Sequence, residues 1–316
     1  MPQIGWYNVE DGRIYPLNAY EALYNVVPPY VLQDILDRRE ADERHKADAL
    51  TVTGPMGCPR KMAIERMTDF VVDFKKHWPM DGGTALHKSF EVKAREERSA
   101  SGQPVWFDEL AHPEKCTFKG KIWGQDISGV ADLVRRDVYD PSLTNDFPFN
   151  GKGRVDDYKF SFSGADKWIA RSRMARESHT VQANFLRELM KQQLGRDMDE
   201  VEFVFWVVGT KWEKTVAPVL SIDGCGASPF GSTGNSSRIW TVRELFDANV
   251  RVFEAWREAA REYDGDLMAV PMAKREEIAR SAEKAGADFW VKRNGANMCT
   301  DYCTLRKSCE GLEGGL

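Results

Sequence analysis

A chain of 316 residues that is 42% hydrophobic and 11% aromatic can bury one large core, or one core with a small accessory domain. Its formal net charge of −5 excludes a polycation that coats DNA nonspecifically but is compatible with a local basic groove. No run approaches the roughly 18 apolar residues that cross a bilayer, and Met1 to Asn18 lacks the charged start and apolar stretch of a signal peptide, so a cytoplasmic setting without a membrane partner is expected.

The first fifty residues carry Trp6, Tyr7, Tyr15, Tyr20, Tyr24 and Tyr30, a Pro28-Pro29 break and a charged helical run from Val31 to His45. They are expected to form an N-terminal helical extension, 1–50, packed on a main domain, 51–316. A turn at Thr53-Gly54-Pro55 leads to Cys58-Pro59-Arg60-Lys61 and a helical pattern through Asp73. After Asp81-Gly82-Gly83 a second helix is expected over Thr84 to Arg98, with Leu86, Phe90 and Val92 as its apolar positions.

Between Val105 and Phe162 the pattern changes to short runs separated by turns: Val105 to Phe107, Cys116 to Trp123, Ile127 to Val134 and Val155 to Phe162. These are the expected strands of a sheet. A helical region over Ala165 to Leu194 follows, then strands over Val201 to Val208 and Lys214 to Ile222. Gly224 to Ser237 is rich in Gly and Ser but lacks the Gly-Lys-Ser/Thr ending of a phosphate-cradling loop, so a flexible surface loop is expected. Thr241 opens a helix running to Tyr263, and Lys274 to Ala285 reads as another. The class is α/β, with helices around a mixed sheet.

Candidate chemistry starts with two carboxylates and a lysine. Asp132 lies in Ser128-Gly129-Val130-Ala131-Asp132-Leu133-Val134, where flanking apolar residues predict a strand delivering one acid to a sheet end. Asp157-Tyr158-Lys159 follows on the next strand, and period-2 geometry puts Asp157 and Lys159 on one face. Two nearby carboxylates repel unless a cation lies between them, which points to Mg2+ or Mn2+ and phosphoester chemistry. Lys159 would then hold the attacking water or offset transition-state charge. An Asp-x-Lys triplet alone is weak, and Asp73-Phe74-Lys75 is a second one; it falls in a helical pattern, where i and i+2 diverge, and is set aside.

His87, in the first turns of the helix after Gly82-Gly83, offers an imidazole that would favour manganese, and Glu91 one turn on is a lesser candidate. Gln182 could bond a phosphate, a base or a metal-bound water, or be a polar residue on an amphipathic helix. Lys167, Arg171, Arg173 and Arg176, with Trp168, form a basic stretch that reads either as a phosphate-contacting surface or as a solvated helix face.

The six cysteines are unevenly spread. Cys299-x3-Cys303-x5-Cys309 puts three thiols in eleven residues, and a fourth would complete a zinc or a four-iron site. Cys58, before Pro59 at an expected helix start, is preferred as that fourth ligand, with Cys116 and Cys225 as alternatives that otherwise read as a strand and a loop residue. A one-plus-three split suits a 4Fe-4S cubane better than zinc, and such a site would staple distant parts of the chain.

The ordered set Cys58-Pro59-Arg60-Lys61, His87, Asp132, Asp157-Tyr158-Lys159, Gln182, Cys299, Cys303 and Cys309 resembles the RecB-like PD-(D/E)XK exonucleases, in their iron–sulfur branch. That branch includes CRISPR-associated adaptation nucleases, AddB-type nuclease domains and phage relatives. The resemblance covers about Thr51 to Cys309. It implies a restriction-endonuclease-like mixed central sheet flanked by helices, with a helical iron–sulfur region joining N- and C-terminal segments. It also implies two-metal chemistry at His87, Asp132, Asp157 and the Tyr158 carbonyl, Lys159 as catalytic lysine, and Gln182 as the trailing glutamine. Leu186 stands where the family usually has an aromatic, and the cysteine spacing is one residue longer than the common Cys-x2-Cys. The implied activity is DNA exonuclease, from single-stranded ends, with a helicase, recombination or replication partner. A non-catalytic DNA-end-binding subunit and an RNA nuclease are the alternatives.

Overall fold

The computed structural model describes residues 3–8, 12–16, 50–54, 58–73, 83, 86–147, 152–160, 175, 177–209, 212–223, 226–227, 240–284, 303–305 and 307–309. Mixed sheets flanked by helices form an α/β fold. Among the described residues no helix is long and apolar enough to cross a membrane.

The largest sheet has five strands in the order β11-β10-β9-β8-β5: β5 (Trp106–Asp108), β8 (Leu133–Arg135), β9 (Arg154–Phe160), β10 (Glu202–Val208) and β11 (Trp212–Val216). Strands β9 and β10 run parallel, and the other neighbours are antiparallel. A parallel pair needs a crossover, and the helix α3 (Glu177–Leu194) lies in the connection between β9 and β10. Val155, Phe203, Phe205 and Val207 are all buried, as expected of strands covered by a helix.

Helix α3 also packs against a hairpin of β6 (Thr117–Ile122) and β7 (Gln125–Val130), which pairs on its far side with β3 (Leu50–Thr51). Gln192 bridges the hairpin edge through Lys121, accepting from its N–H at 2.9 Å and donating to its carbonyl at 2.9 Å. Close approach depends on Gly129, where a Cβ would come within 2.6 Å of both Leu186 Cδ2 and Val52 Cγ1. Leu186 is thus a fully buried packing residue.

A third sheet, β2-β1-β4, joins β1 (Gln3–Tyr7), β2 (Ile14–Pro16) and β4 (Phe70–Asp73). The expected helical extension is therefore strand over these N-terminal residues; Trp6 is fully buried in the main core, and residues 17–49 lie outside those described. The helical pattern expected through Asp73 also breaks. Helix α1 (Pro59–Met67) ends where Thr68 turns extended, and Phe70-Val71-Val72 is a buried strand, because β-branched residues lose less on a pleated surface than in a helix. Asp73, expected on a helix, is a buried strand residue; it belongs to a different sheet from Asp157, and Phe74 and Lys75 lie outside the described residues.

The outer edge of β4 is covered by the C-terminal segment. The Asp73 N–H donates to the Thr304 carbonyl at 2.8 Å, and the Val71 N–H to Ser308 Oγ at 3.0 Å. Cys58 is the N-cap residue of α1, and Cys303 and Cys309 are partly buried against the main core. Cys116, expected on a strand, closes a single helical turn, Pro113–Cys116, and is fully buried with its Sγ 3.5 Å from the Phe107 carbonyl. Cys225, Cys299 and most of the Gly/Ser-rich loop lie outside the described residues.

Among the described residues, two more helices pack on the core. Helix α4 (Val242–Arg261) opens at Thr241, as expected, with a capping box between Thr241 and Glu244, and packs on α1 and on α5 (Met272–Lys284). The helix over residues 86–94, here α2, carries His87. Replacing Gly129 with Ala should destabilise the protein by about 1–3 kcal/mol through overpacking under α3, measured as a lower denaturant midpoint with an unchanged m-value.

Candidate metal and carboxylate centre

Register explains why the acids meet. In the antiparallel β8–β9 pair, Leu133 faces Asp156 and Val134 faces Val155, so one further step brings Asp132 opposite Asp157. Asp132 itself is not on a strand, as expected from its apolar neighbours. It lies in the two-residue break between β7 and β8, where the chain leaves one sheet for another. Freed from the ladder, its carboxylate accepts the Tyr158 N–H at 2.7 Å. It also lies 3.3 Å from His87 Nδ1.

Helix α2 supplies the other half. His87 and Glu91 are one turn apart and share a face. Ligand atoms of His87, Glu91 and Asp132 all fall within 4.8 Å of one another, a spacing that fits one cation. Glu91 is 2% exposed, and its Oε2 has no hydrogen-bond partner among the described residues. A buried carboxylate oxygen left unsatisfied is costly, and a cation at this position would remove that cost. Glu91, ranked below His87 from sequence, is thus the residue most in need of a ligand; its signal was the i, i+4 spacing from His87.

Asp157 and Lys159 share one face of β9, as period-2 geometry predicts. The Lys159 ammonium forms a close ion pair with Asp157 Oδ1, while Gln182 Nε2 donates to Asp157 Oδ2 at 2.7 Å. Gln182 thus holds the carboxylate in place and is itself buried. Asp132, Asp157, Lys159, Gln182 and His87 therefore come together. The Tyr158 group seen at the centre is its N–H, bound to Asp132. Lys167, Arg171, Arg173 and Arg176 lie outside the described residues, as does Cys299.

Electrostatics follow from this crowding. Burial, reinforced by repulsion from Asp132, Glu109 and Asp108, pushes Glu91 up to about 8. Burial raises Asp157 to about 6, with Asp132 adding to it and Lys159 opposing. Asp132 goes the other way: burial opposes its charge, but His87, Lys159 and the Tyr158 N–H hold it below the usual carboxylate value. Burial works against the His87 cation too, yet Asp132 and Asp157 keep its pKa raised. Lys159, disfavoured by burial, is held above its ordinary value by Asp157 and Asp132 and so stays charged.

No family model matches the chain, and no curated protein matches it significantly. Among solved structures, that of SSO0001 is similar over 72% of this chain and 86% of its own, with 13% identity and a TM-score of 0.42, a likeness that carries no argument about fold or activity.

The folded protein holds a proton on Glu91 that the unfolded chain releases between about 4.5 and about 8. Because the folded state binds more protons across that window, its stability is greatest below it and falls as pH rises. The raised Asp157 and His87 act in the same direction. In chelator-treated protein, Tm should therefore drop between pH 5 and about 8, and Glu91→Gln should shrink the drop. An identical slope in the variant would show that Glu91 does not hold the proton.

Proposed function

We propose that this chain is a divalent-metal-dependent phosphodiesterase of the RecB-like PD-(D/E)XK kind, acting on DNA from single-stranded ends. The observation that carries the reading is the unsatisfied Glu91 carboxylate, within 4.8 Å of His87 and Asp132 ligand atoms, beside the Asp157–Lys159 pair. The mixed sheet with parallel β9 and β10 joined through α3 suits a restriction-endonuclease-like core.

His87, Glu91 and Asp132 would hold Mg2+ or Mn2+, the imidazole favouring manganese, with Asp157 adjoining. When bound, the cation supplies Lewis acidity toward a phosphoryl oxygen and lowers the pKa of water. The protein's own groups do the rest. Lys159, charged and fixed by Asp157, presents a cation where negative charge develops on the phosphate. Gln182 fixes the rotamer of Asp157, and the Tyr158 N–H orients Asp132, so that both acids are preorganised.

A 4Fe-4S cluster on Cys58, Cys299, Cys303 and Cys309 is part of the same proposal. Its support is the cysteine spacing in the sequence: the segment holding Cys303 and Cys309 lies on β4, the strand that follows the Cys58-capped helix after two residues, but among the described residues the group spaced for a metal ion is His87, Glu91 and Asp132 and not these cysteines. When bound, the cluster would cross-link these segments covalently. Anaerobically purified protein should then be brown and contain iron and acid-labile sulfide, both lost in Cys303→Ser together with a lower Tm. Zinc at one equivalent would replace the cubane reading.

End-labelled single-stranded DNA should be degraded with Mn2+ or Mg2+. Lys159→Ala and Asp157→Ala should each cost at least about 100-fold, and Gln182→Ala about 10-fold as the loss of a positioning group. Full metal-dependent cleavage by Lys159→Ala would overturn the assignment. Binding without cleavage in either metal would point to a DNA-end-binding subunit, and cleavage confined to a matched RNA to an RNA nuclease.

A further inference from the structure

Strand β9 has two faces. Asp157 and Lys159 point to the face where Gln182 of α3 packs. Tyr158 and Phe160 alternate to the other, and there a chain of aromatic rings begins at the proposed metal centre and leads outward. The His87 ring lies 5.1 Å from Phe160 and 5.9 Å from Tyr158. Phe90, one turn along α2, is 5.2 Å from Tyr158 and 6.1 Å from Phe160, stacked on the latter at 14°. It then touches Trp212, with centroids 5.0 Å apart.

Trp212 ends the chain on β11, the sheet's edge strand, and is 51% exposed. His87, Phe90, Tyr158 and Phe160 are half-buried against one another, whereas Trp212 leaves half of its surface in water, a poor use of so large an apolar side chain. Two residues on, and so on the same face, Lys214 is exposed and places its ammonium 5.8 Å from the Trp206 ring; Trp206 in turn is 6.4 Å from Trp212. An exposed ring braced from behind by other rings, with a cation beside it, is the surface that binds an unpaired base and its phosphate. Register fixes the reach: Trp212 pairs with Val208, and Val208 with Phe160, so two strand spacings, about 10 Å, separate Trp212 from the strand carrying Asp157 and Lys159.

We propose that Trp212, braced by Phe90 and flanked by Lys214, is a stacking platform for an unpaired base of single-stranded DNA next to the phosphate presented to the His87–Glu91–Asp132 centre. This rests on the phosphodiesterase reading and assigns its preference for unpaired ends to named residues. A duplex keeps its base faces stacked internally and offers the indole nothing equivalent.

The test measures binding apart from cleavage. Fluorescence anisotropy with labelled oligodeoxythymidylate and with a blunt duplex, in Ca2+ at two salt concentrations, would compare wild type, Trp212→Ala, Trp212→Phe and Lys214→Ala, with Tm recorded for each. One base stacked on an aromatic ring corresponds to about 5- to 150-fold in affinity. Trp212→Ala should lose single-strand affinity in that range with little change toward duplex, Trp212→Phe should recover most of it, and Lys214→Ala should lower the salt slope by about one. Wild-type single-strand affinity in a folded Trp212→Ala would overturn the platform and leave the nuclease reading standing on its cleavage assay. Loss of single-strand binding in Trp212→Ala, in a protein that never cleaves, would keep the platform and remove the nuclease. A wild type that binds neither substrate overturns the platform outright.

Discussion

Three carboxylates, Glu91, Asp132 and Asp157, are confined to one buried place with a histidine and a lysine, and this concentration of charge makes the demands that the surrounding elements meet. Each acid finds a different solution. Asp132 is stabilised by His87 and a backbone N–H, Asp157 by Lys159 and Gln182, while Glu91 keeps an oxygen without a partner among the described residues. Helix α2, the β7–β8 break, β9 and α3 each contribute a side chain to this balance, so the sheet's neighbours are tied to the site as well as to the core.

Division of labour between the two faces of β9 follows from the pleat. One residue of shift would exchange Asp157 and Lys159 for Tyr158 and Phe160 and put rings under α3 and acids under α2. The register with β10, continuous from Arg154 to Phe160, and the buried aromatic and aliphatic residues under α3 prevent that. Packing energy, spread over many apolar contacts, thereby holds a polar arrangement that would not hold itself.

Much of this was legible in sequence because it depends on period. Alternation placed Asp157 and Lys159 together, the helical turn paired His87 with Glu91, and Thr241 marked a helix start. The failures have physical causes. The short α1 and β4 are joined by only Thr68 and Asp69, with no Gly or Pro to mark the change, so the β-branched pair Val71-Val72 read as more helix. Asp132 read as strand because apolar neighbours flank it, whereas it lies where the chain changes sheets. The ring chain to Trp212 was invisible, since Phe90, Phe160 and Trp212 converge only once α2 crosses the sheet.

The edge of β4 carries a consequence for how the chain reaches its native state. Val71 and Asp73 present their N–H groups outward to a segment that arrives late: Ser308 is 237 residues downstream of Val71. At ribosomal rates of about 5–20 residues per second, making the intervening residues leaves that edge without this cap for roughly 10–50 s. An exposed strand edge is an aggregation template during that interval. Closing this edge is thus a capping event, in which a segment made 237 residues later covers the open side of β4.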